Sequence, residues 1–290
     1  MTGPPAGNGA ESPGEGPLGL IAGNGRFPFL VAEAARRAGR SVVALAIREE
    51  AAPELEASVD TFHWVGLGQF GRALEIMQSA GVRQAVMAGQ VKHRQIFSSF
   101  VPDLKLLALL ARLATKNTDS LIGAVADALQ REGITLLPST GLLSDRMARA
   151  GSLTRRRPSR AEDADIAYGL KVARSLASMD LGQTAVVKDR AAVALEAMEG
   201  TDECIRRAGR IAGPGTTVVK VAKPRQDMRF DVPVAGLGTI AAMVEAGARV
   251  LALDAGKTLL VDGGEVVAEA DRQGIAIWGN PPAPKEEGPR

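Results

Sequence analysis

Residues 220–233 read KVAKPRQDMRFDVP, which sets two carboxylates, Asp227 and Asp231, among four cations, Lys220, Lys223, Arg225 and Arg229. The segment leaves a β-branched, strand-like run at 216–221. Carboxylates hold a hard cation such as Mg²⁺, and Lys and Arg neutralise phosphate oxygens. A site that needs both charges does metal-assisted chemistry on phosphate; otherwise the same residues make a salt-bridged, solvated strand end. A second charged knot lies upstream at Glu196, Glu199 and Asp202, with Thr201 among them. Thr201 or Asp202 is also placed to cap the helix expected next.

Composition removes several function classes. The 290 residues suit two domains of about 150 residues each. Aromatics make up 3%, too few for stacking platforms on single-stranded nucleic acid. A net charge of +2 gives no strong electrostatic footprint for DNA, and no nucleic-acid partner is expected. The single cysteine, Cys204, excludes an internal disulfide and fits a reducing compartment. Two histidines, His63 and His93, are too few for a zinc site of the usual His and Cys ligands. His93, in Lys92-His93-Arg94, can touch phosphate or be plain surface.

Residues 1–17 are rich in Gly, Pro and acid and lack an apolar core, so they read as a disordered tail and not a signal peptide. Residues 281–290 read as a second tail. The apolar helix at 104–114 is too short to span a bilayer. It is either a core helix or a contact for an acyl chain or membrane surface.

The elements that must position these residues alternate between strand and helix. Strands are expected at 18–22, 41–47, 61–65, 84–88 and 134–137, and helices at 27–38, 70–80, 104–115 and 119–132. Continuous apolar strands joined by helices predict a parallel sheet covered on both faces, here an N-terminal Rossmann-like domain over 18–146. Its strand-end loops carry Gly23, Asn24, Gly25, Gly66, Gly68, Gly89, Gln90 and Lys92, where such sheets bind ligands. Gly23 and Gly25 begin a dinucleotide fingerprint, but Pro28 stands at the third glycine. The loop either holds a phosphate on backbone N–H groups or is a plain turn.

The basic run 154–160 ends at a proline-interrupted stretch, so 147–162 reads as a linker, solvated or clamping an anion. A C-terminal catalytic α/β domain is expected over 163–280. Its helices fall at 161–178, 203–208, 239–246 and 265–273, and its strands at 184–188, 192–197, 216–222, 250–253 and 259–261. The fold class is therefore α/β in two domains.

Five segments together resemble the LpxI family, the UDP-2,3-diacylglucosamine pyrophosphatases of lipid A biosynthesis. They are Ala22-Gly23-Asn24-Gly25 with Pro28; Gly89-Gln90-Val91; Asp180-Leu181-Gly182-Gln183; Glu196 to Asp202; and Lys223-Pro224 with Gln226, Asp227, Arg229, Asp231 and Pro233. The resemblance runs over 18–279. It implies a cytoplasmic, Mg²⁺-dependent hydrolase, peripheral to the inner membrane. Such an enzyme splits UDP-2,3-diacylglucosamine into lipid X and UMP, with the lipid held between two domains. It implies no nicotinamide and leaves room for a homodimer.

Asp231 matches the family's essential aspartate, and Asp227 falls where a relative carries Glu. On that resemblance Asp231 and Asp227 bind metal or orient water, and Glu199 and Asp202 complete the metal shell. Lys223 and Arg229 bind phosphate. Gln226, Thr201, Gly23, Asn24, Gly25, Gly89 and Gln90 bind substrate, with the glycine loops taking the UMP end and water attacking the sugar-side phosphorus. Met198 and the longer N-terminal tail depart mildly from the family. A nucleotide-dependent oxidoreductase and a non-catalytic lipid or nucleotide carrier remain the alternatives.

Overall fold

The computed structural model describes residues 16–91, 101–111, 118–224 and 226–282. Lys92, His93, Arg225 and most of both expected tails lie outside these. The chain divides into two compact units, one up to Leu142 and one from Leu143.

The first unit is built on five parallel strands: β1 (Leu18–Ala22), β2 (Val42–Ile47), β3 (Thr61–Val65), β4 (Gln84–Ala88) and β5 (Thr135–Leu136). Their order is β3-β2-β1-β4-β5, so the winding reverses between β1 and β4. Ligands favour that kind of switch point. β2, VVALAI, is buried at every position, as a strand covered on both faces must be. Among the described residues, four α-helices accompany the sheet: α1 (Phe27–Arg37), α2 (Phe70–Ser79), α3 (Leu104–Leu110) and α4 (Thr118–Arg131). Pro28, which spoils the fingerprint, lies in the first turn of α1, where its missing N–H costs no hydrogen bond. Asp103 clips α3 to α2: its Oδ1 accepts from Leu106 N at 2.9 Å and its Oδ2 from Gly71 N at 2.6 Å.

The main sheet of the second unit has six strands in the order β6-β13-β11-β9-β7-β8. These are β6 (Gly151–Ser152), β7 (Thr184–Lys188), β8 (Ala191–Leu195), β9 (Thr217–Lys220), β11 (Val250–Asp254) and β13 (Ala276–Asn280). β9, β11 and β13 run parallel, and β7 is antiparallel to both neighbours. β10 (Val234–Ala235) and β12 (Leu259–Leu260) pair separately. Helix α5 (Arg160–Ser178) covers one face, packing Ile166, Ala173 and Ala177 on Val219, Val221 and Ala252. Its start is set by a Ser159–Glu162 capping box. The other face carries α6 (Thr201–Ala212), α7 (Leu237–Ala246) and α8 (Gly264–Arg272). Ile205, Ile240 and Met243 are fully buried there, each contributing roughly 1.5–3 kcal/mol by leaving water. Cys204 of α6 joins them, and burial pushes its thiol pKa up to about 12.

Within 147–162, read as a linker, residues 151–154 are hydrogen-bonded along the β13 edge and helix α5 has begun by Arg160. β6 pairs antiparallel with β13, and Thr154 Oγ1 accepts from Ile277 N at 2.9 Å. A sheet edge of free N–H and C=O groups is satisfied in this way. The β7–β8 hairpin turns on Asp189 and Arg190, both at positive φ (52° and 60°), with the buried Asp165 accepting both their N–H groups. Among the described residues no helix is long and apolar enough to cross a membrane.

Candidate active site

Antiparallel β7 starts where β8 and β9 end, so Thr184, Glu196 and Lys220 come together at one edge of the second sheet. Lys220 is only 5% exposed. Its Nζ donates to Thr201 Oγ1 at 2.8 Å, and Thr201 Oγ1 donates to Glu196 Oε1, also at 2.8 Å. Glu196 Oε2 accepts from Gln183 N at 3.1 Å, and Thr184 Oγ1 lies 3.3 Å from Thr201 Oγ1. Burial pulls the Lys220 pKa below the usual lysine range, against the opposing fields of Glu196, Asp202 and Asp231. A buried ammonium without such fields would shed its proton.

The segment after β9 folds into a closed loop. Gln226 Oε1 accepts from Lys223 N at 2.5 Å, and Gln226 Nε2 donates to Asp231 O at 2.7 Å. Asp231 N donates to Asp227 O at 2.9 Å. Asp254, ending β11, anchors the loop's start by accepting from Ala222 N at 3.0 Å. Lys223 Nζ then stands 2.7 Å from Asp180 Oδ1 and 3.5 Å from Asp231 Oδ2. Gln226 therefore shapes the loop through backbone groups, while Lys223 and Asp231 present charge together.

The remaining acids have separate engagements. Asp227 and Arg229 form a bidentate pair, with Nη2–Oδ2 at 2.7 Å and Nε–Oδ1 at 2.9 Å. The guanidinium holds the Asp227 carboxyl below the usual carboxylate range. It also lies over the Phe230 ring, 5.9 Å from the centroid. Glu199 pairs with Arg207 and accepts from Ala197 N at 3.0 Å, closing the turn before α6. Asp202 sits in the first turn of α6, with its carboxylate beside Gly238 and its field on Lys220.

Among the described residues, no three His, Cys, Asp or Glu side chains converge into a metal cage. Mg²⁺ does not require one, since it is commonly held by one or two carboxylates plus substrate phosphates. Asp231 fits that kind of site; Asp227, doubly bonded to Arg229, is the poorer donor.

In the first unit the glycine loops meet each other. Asn24 N donates to Gln90 O at 2.7 Å and Gln90 N to Asn24 O at 3.1 Å, while Gly23 N donates to Ala88 O at 2.8 Å. A Cβ on Gly23 would lie 2.6 Å from Gln90 O, and one on Gly89 2.6 Å from Asn24 O. Gly89 also sits at φ 91°, and Gly25 at 92°. The structure thus gives Gly23 and Gly89 a packing reason, and the N–H groups of Gly23, Asn24 and Gln90 are used in this crossing.

The family model of the LpxI N-terminal domain matches residues 17–146, and that of the LpxI C-terminal domain matches 149–278. The chain belongs to the LpxI family. A relative from Caulobacter vibrioides, UDP-2,3-diacylglucosamine pyrophosphatase LpxI, is 34% identical over 276 residues, covering 91% of this chain and 98% of its own. Among solved structures, the biotin carboxylase domain of a thermophilic 2-oxoglutarate carboxylase covers 58% of this chain and 34% of its own, at 12% identity. Its TM-score of 0.25 carries no argument. The candidate site in this LpxI member also includes Asp180, Glu196 and Lys220, which the sequence placed in its quoted segments without an individual role. The available signal was a lysine closing a strand, β9, whose other residues are Thr and Val.

Proposed function

We propose that this LpxI member hydrolyses the pyrophosphate bond of UDP-2,3-diacylglucosamine, giving lipid X and UMP, with Mg²⁺, in the cytoplasm at the inner-membrane surface. The name of the Caulobacter relative supports the substrate. One observation carries the chemistry: Lys223 Nζ stands 3.5 Å from Asp231 Oδ2, on the loop that follows the buried Lys220 at the end of β9.

Hydrolysis of a pyrophosphate diester requires neutralised phosphoryl oxygens, a stabilised leaving group and a water placed in line. Lys223 supplies a fixed ammonium for the phosphate, positioned by Asp180. Lys220 adds positive potential from inside the sheet edge, where low dielectric strengthens it. Asp231 accepts a hydrogen bond from the attacking water and orients it. A bound Mg²⁺ would be held by Asp231 together with phosphate oxygens and would supply charge neutralisation at the phosphoryl group.

Purified protein given UDP-2,3-diacylglucosamine and Mg²⁺ is expected to yield lipid X and UMP by mass spectrometry, and EDTA is expected to stop the reaction. Neither product appearing with Mg²⁺ present rules the substrate out. Full turnover after exhaustive chelation removes the metal from the reading.

A further inference from the structure

Gln183, next to the start of β7, has a tied backbone and an untied side chain. Its N–H donates to Glu196 Oε2 at 3.1 Å, and its C=O accepts from Val221 N at 2.9 Å. Its Oε1 is buried with no hydrogen-bond partner among the described residues. Its Nε2, also without a partner among them, is open to solvent.

A buried carbonyl oxygen that bonds to nothing costs free energy in the folded protein. Native interiors pair nearly all such atoms, so an orphan calls for a reason outside folding. The segment leading to it is also closely fixed. A Cβ on Gly182 would run into Glu196 O, and Asp180 is held at a left-handed φ of 57°. The chain delivers this amide to one place and then leaves it unbonded.

Side-chain alternation tells which place. Thr184 turns toward α6, with its Oγ1 3.3 Å from Thr201 Oγ1, while Ala185 packs on the α5 side with Val219 and Val221. Gln183, two residues from Ala185 and opposite Val221, shares the α5 side. Lys223, two residues past Val221, comes out there too, since its Nζ meets Asp180 just past the end of α5. An ammonium and a carboxamide nitrogen thus stand on one side of the sheet edge, both offering N–H groups. The nearby carboxylates are already engaged, Asp180 by Lys223 and Glu196 by Thr201 and the Gln183 backbone. Lysine is a point charge with three rotating donors, whereas a carboxamide N–H has a set direction. Together they suit a phosphoryl group, whose several oxygens need charge neutralised and orientation fixed.

We propose that Gln183 binds the substrate at the reacting group, its Nε2 donating to a non-bridging oxygen of the phosphate that Lys223 neutralises. That this phosphate belongs to a pyrophosphate substrate rests on the function proposed above; the unbonded amide on the side of Lys223 does not. A donor fixed in direction keeps the phosphorus in line with the attacking water. Its hydrogen bond strengthens as charge builds on the oxygen. The amide neither takes nor gives a proton, so its part is binding and orientation.

The test uses the full chain with Gln183→Met, which keeps the length of the side chain and removes both polar ends. This variant should melt at or above wild type and lose about 10- to 10²-fold in kcat/KM. Gln183→Leu takes its place if Gln183→Met does not fold; loss of the fold in both makes the amide part of the core and overturns the assignment. The deciding readout is a set of substrates with sulfur in place of one non-bridging oxygen, resolved by diastereomer at each phosphorus. Sulfur accepts hydrogen bonds weakly, so wild type should turn one isomer over more slowly. In Gln183→Met that penalty should shrink by about threefold or more, because the donor is already gone. Penalties unchanged for every isomer sink this inference and leave the function standing. Inorganic pyrophosphate with Mg²⁺, followed by isothermal titration, separates the opposite case. Binding weakened about tenfold in Gln183→Met, in a protein that never hydrolyses UDP-2,3-diacylglucosamine, keeps the phosphate contact and removes the function.

Discussion

Asp180 Oδ1 lies 2.7 Å from Lys223 Nζ, and Asp180 holds that place from a left-handed backbone, φ 57°, just past the end of α5. Asp180 N donates to Ala177 O and Leu181 N to Leu176 O, the paired bonds of a helix end that ordinarily takes glycine. A residue with a Cβ costs about 1 kcal/mol there, and strain kept against that preference points to function.

Asp180→Gly should therefore keep or raise the melting temperature while lowering kcat/KM about tenfold, because Lys223 loses the group that positions it. Asp180→Asn, which tolerates the same backbone, should keep stability and lose activity to a similar degree. Thermal unfolding measured beside kinetics separates the two effects. Unchanged kcat/KM in both variants would leave Asp180 a surface residue.

Asp231→Ala should lose turnover by ~10²-fold or more with the fold intact, since the side chain sits on a loop and not inside an apolar face. Turnover near wild type would exclude Asp231 from the chemistry.

Lys220→Met tests the buried cation. Removing one partner from a buried charged network costs about 3–5 kcal/mol, because Glu196 keeps its hydrogen bonds from Gln183 and Thr201 but loses the buried cation opposite it. Lys220→Met combined with Glu196→Gln should recover part of that stability and none of the turnover. Denaturant midpoints across the double-mutant cycle give the coupling. Additive losses would mean that the Lys220–Thr201–Glu196 relay is not an energetic unit.

Asp227 gives a pH prediction. Arg229 depresses its folded-state pKa, so its contribution is present above the unfolded value near ~3.9 and is lost as pH falls through the lower, folded value. The pair is about one-third exposed, so its size is roughly 1 kcal/mol or less. Wild type should thus melt slightly above Asp227→Asn at pH 6, and the gap should close on acidification below about pH 4. A gap that widens in acid would show the sign to be wrong.

Much of this architecture was legible because burial leaves a long trace. VVALAI in β2 and the apolar–glycine–helix rhythm of the first unit each announce a covered parallel strand. β13 was not read from sequence: Ala276–Asn280 mixes Trp278, Gly279 and Asn280, and runs straight into a proline-rich end. β6 is two residues long and gains its identity only from β13. At the site, Asp227 and Arg229 looked like members of a shared cluster. A tight turn lets residues two apart bond each other, and spacing alone does not reveal that. Gly23 and Gly89 were visible as glycines, but their reason is a contact between loops 66 residues apart in the chain, which no local pattern contains. Asp180 carries no glycine to mark its backbone.

The buried thiol of Cys204 gives the protein a built-in clock. It is the only sulfhydryl in the chain, it is inert while packed, and it sits one turn after Thr201 on α6. A thiol reagent can reach it only when that helix lifts from the sheet, so labelling in native buffer counts openings of the element that begins with Thr201. A ligand that engages Thr201 should slow the count, which makes occupancy of the site readable without any turnover.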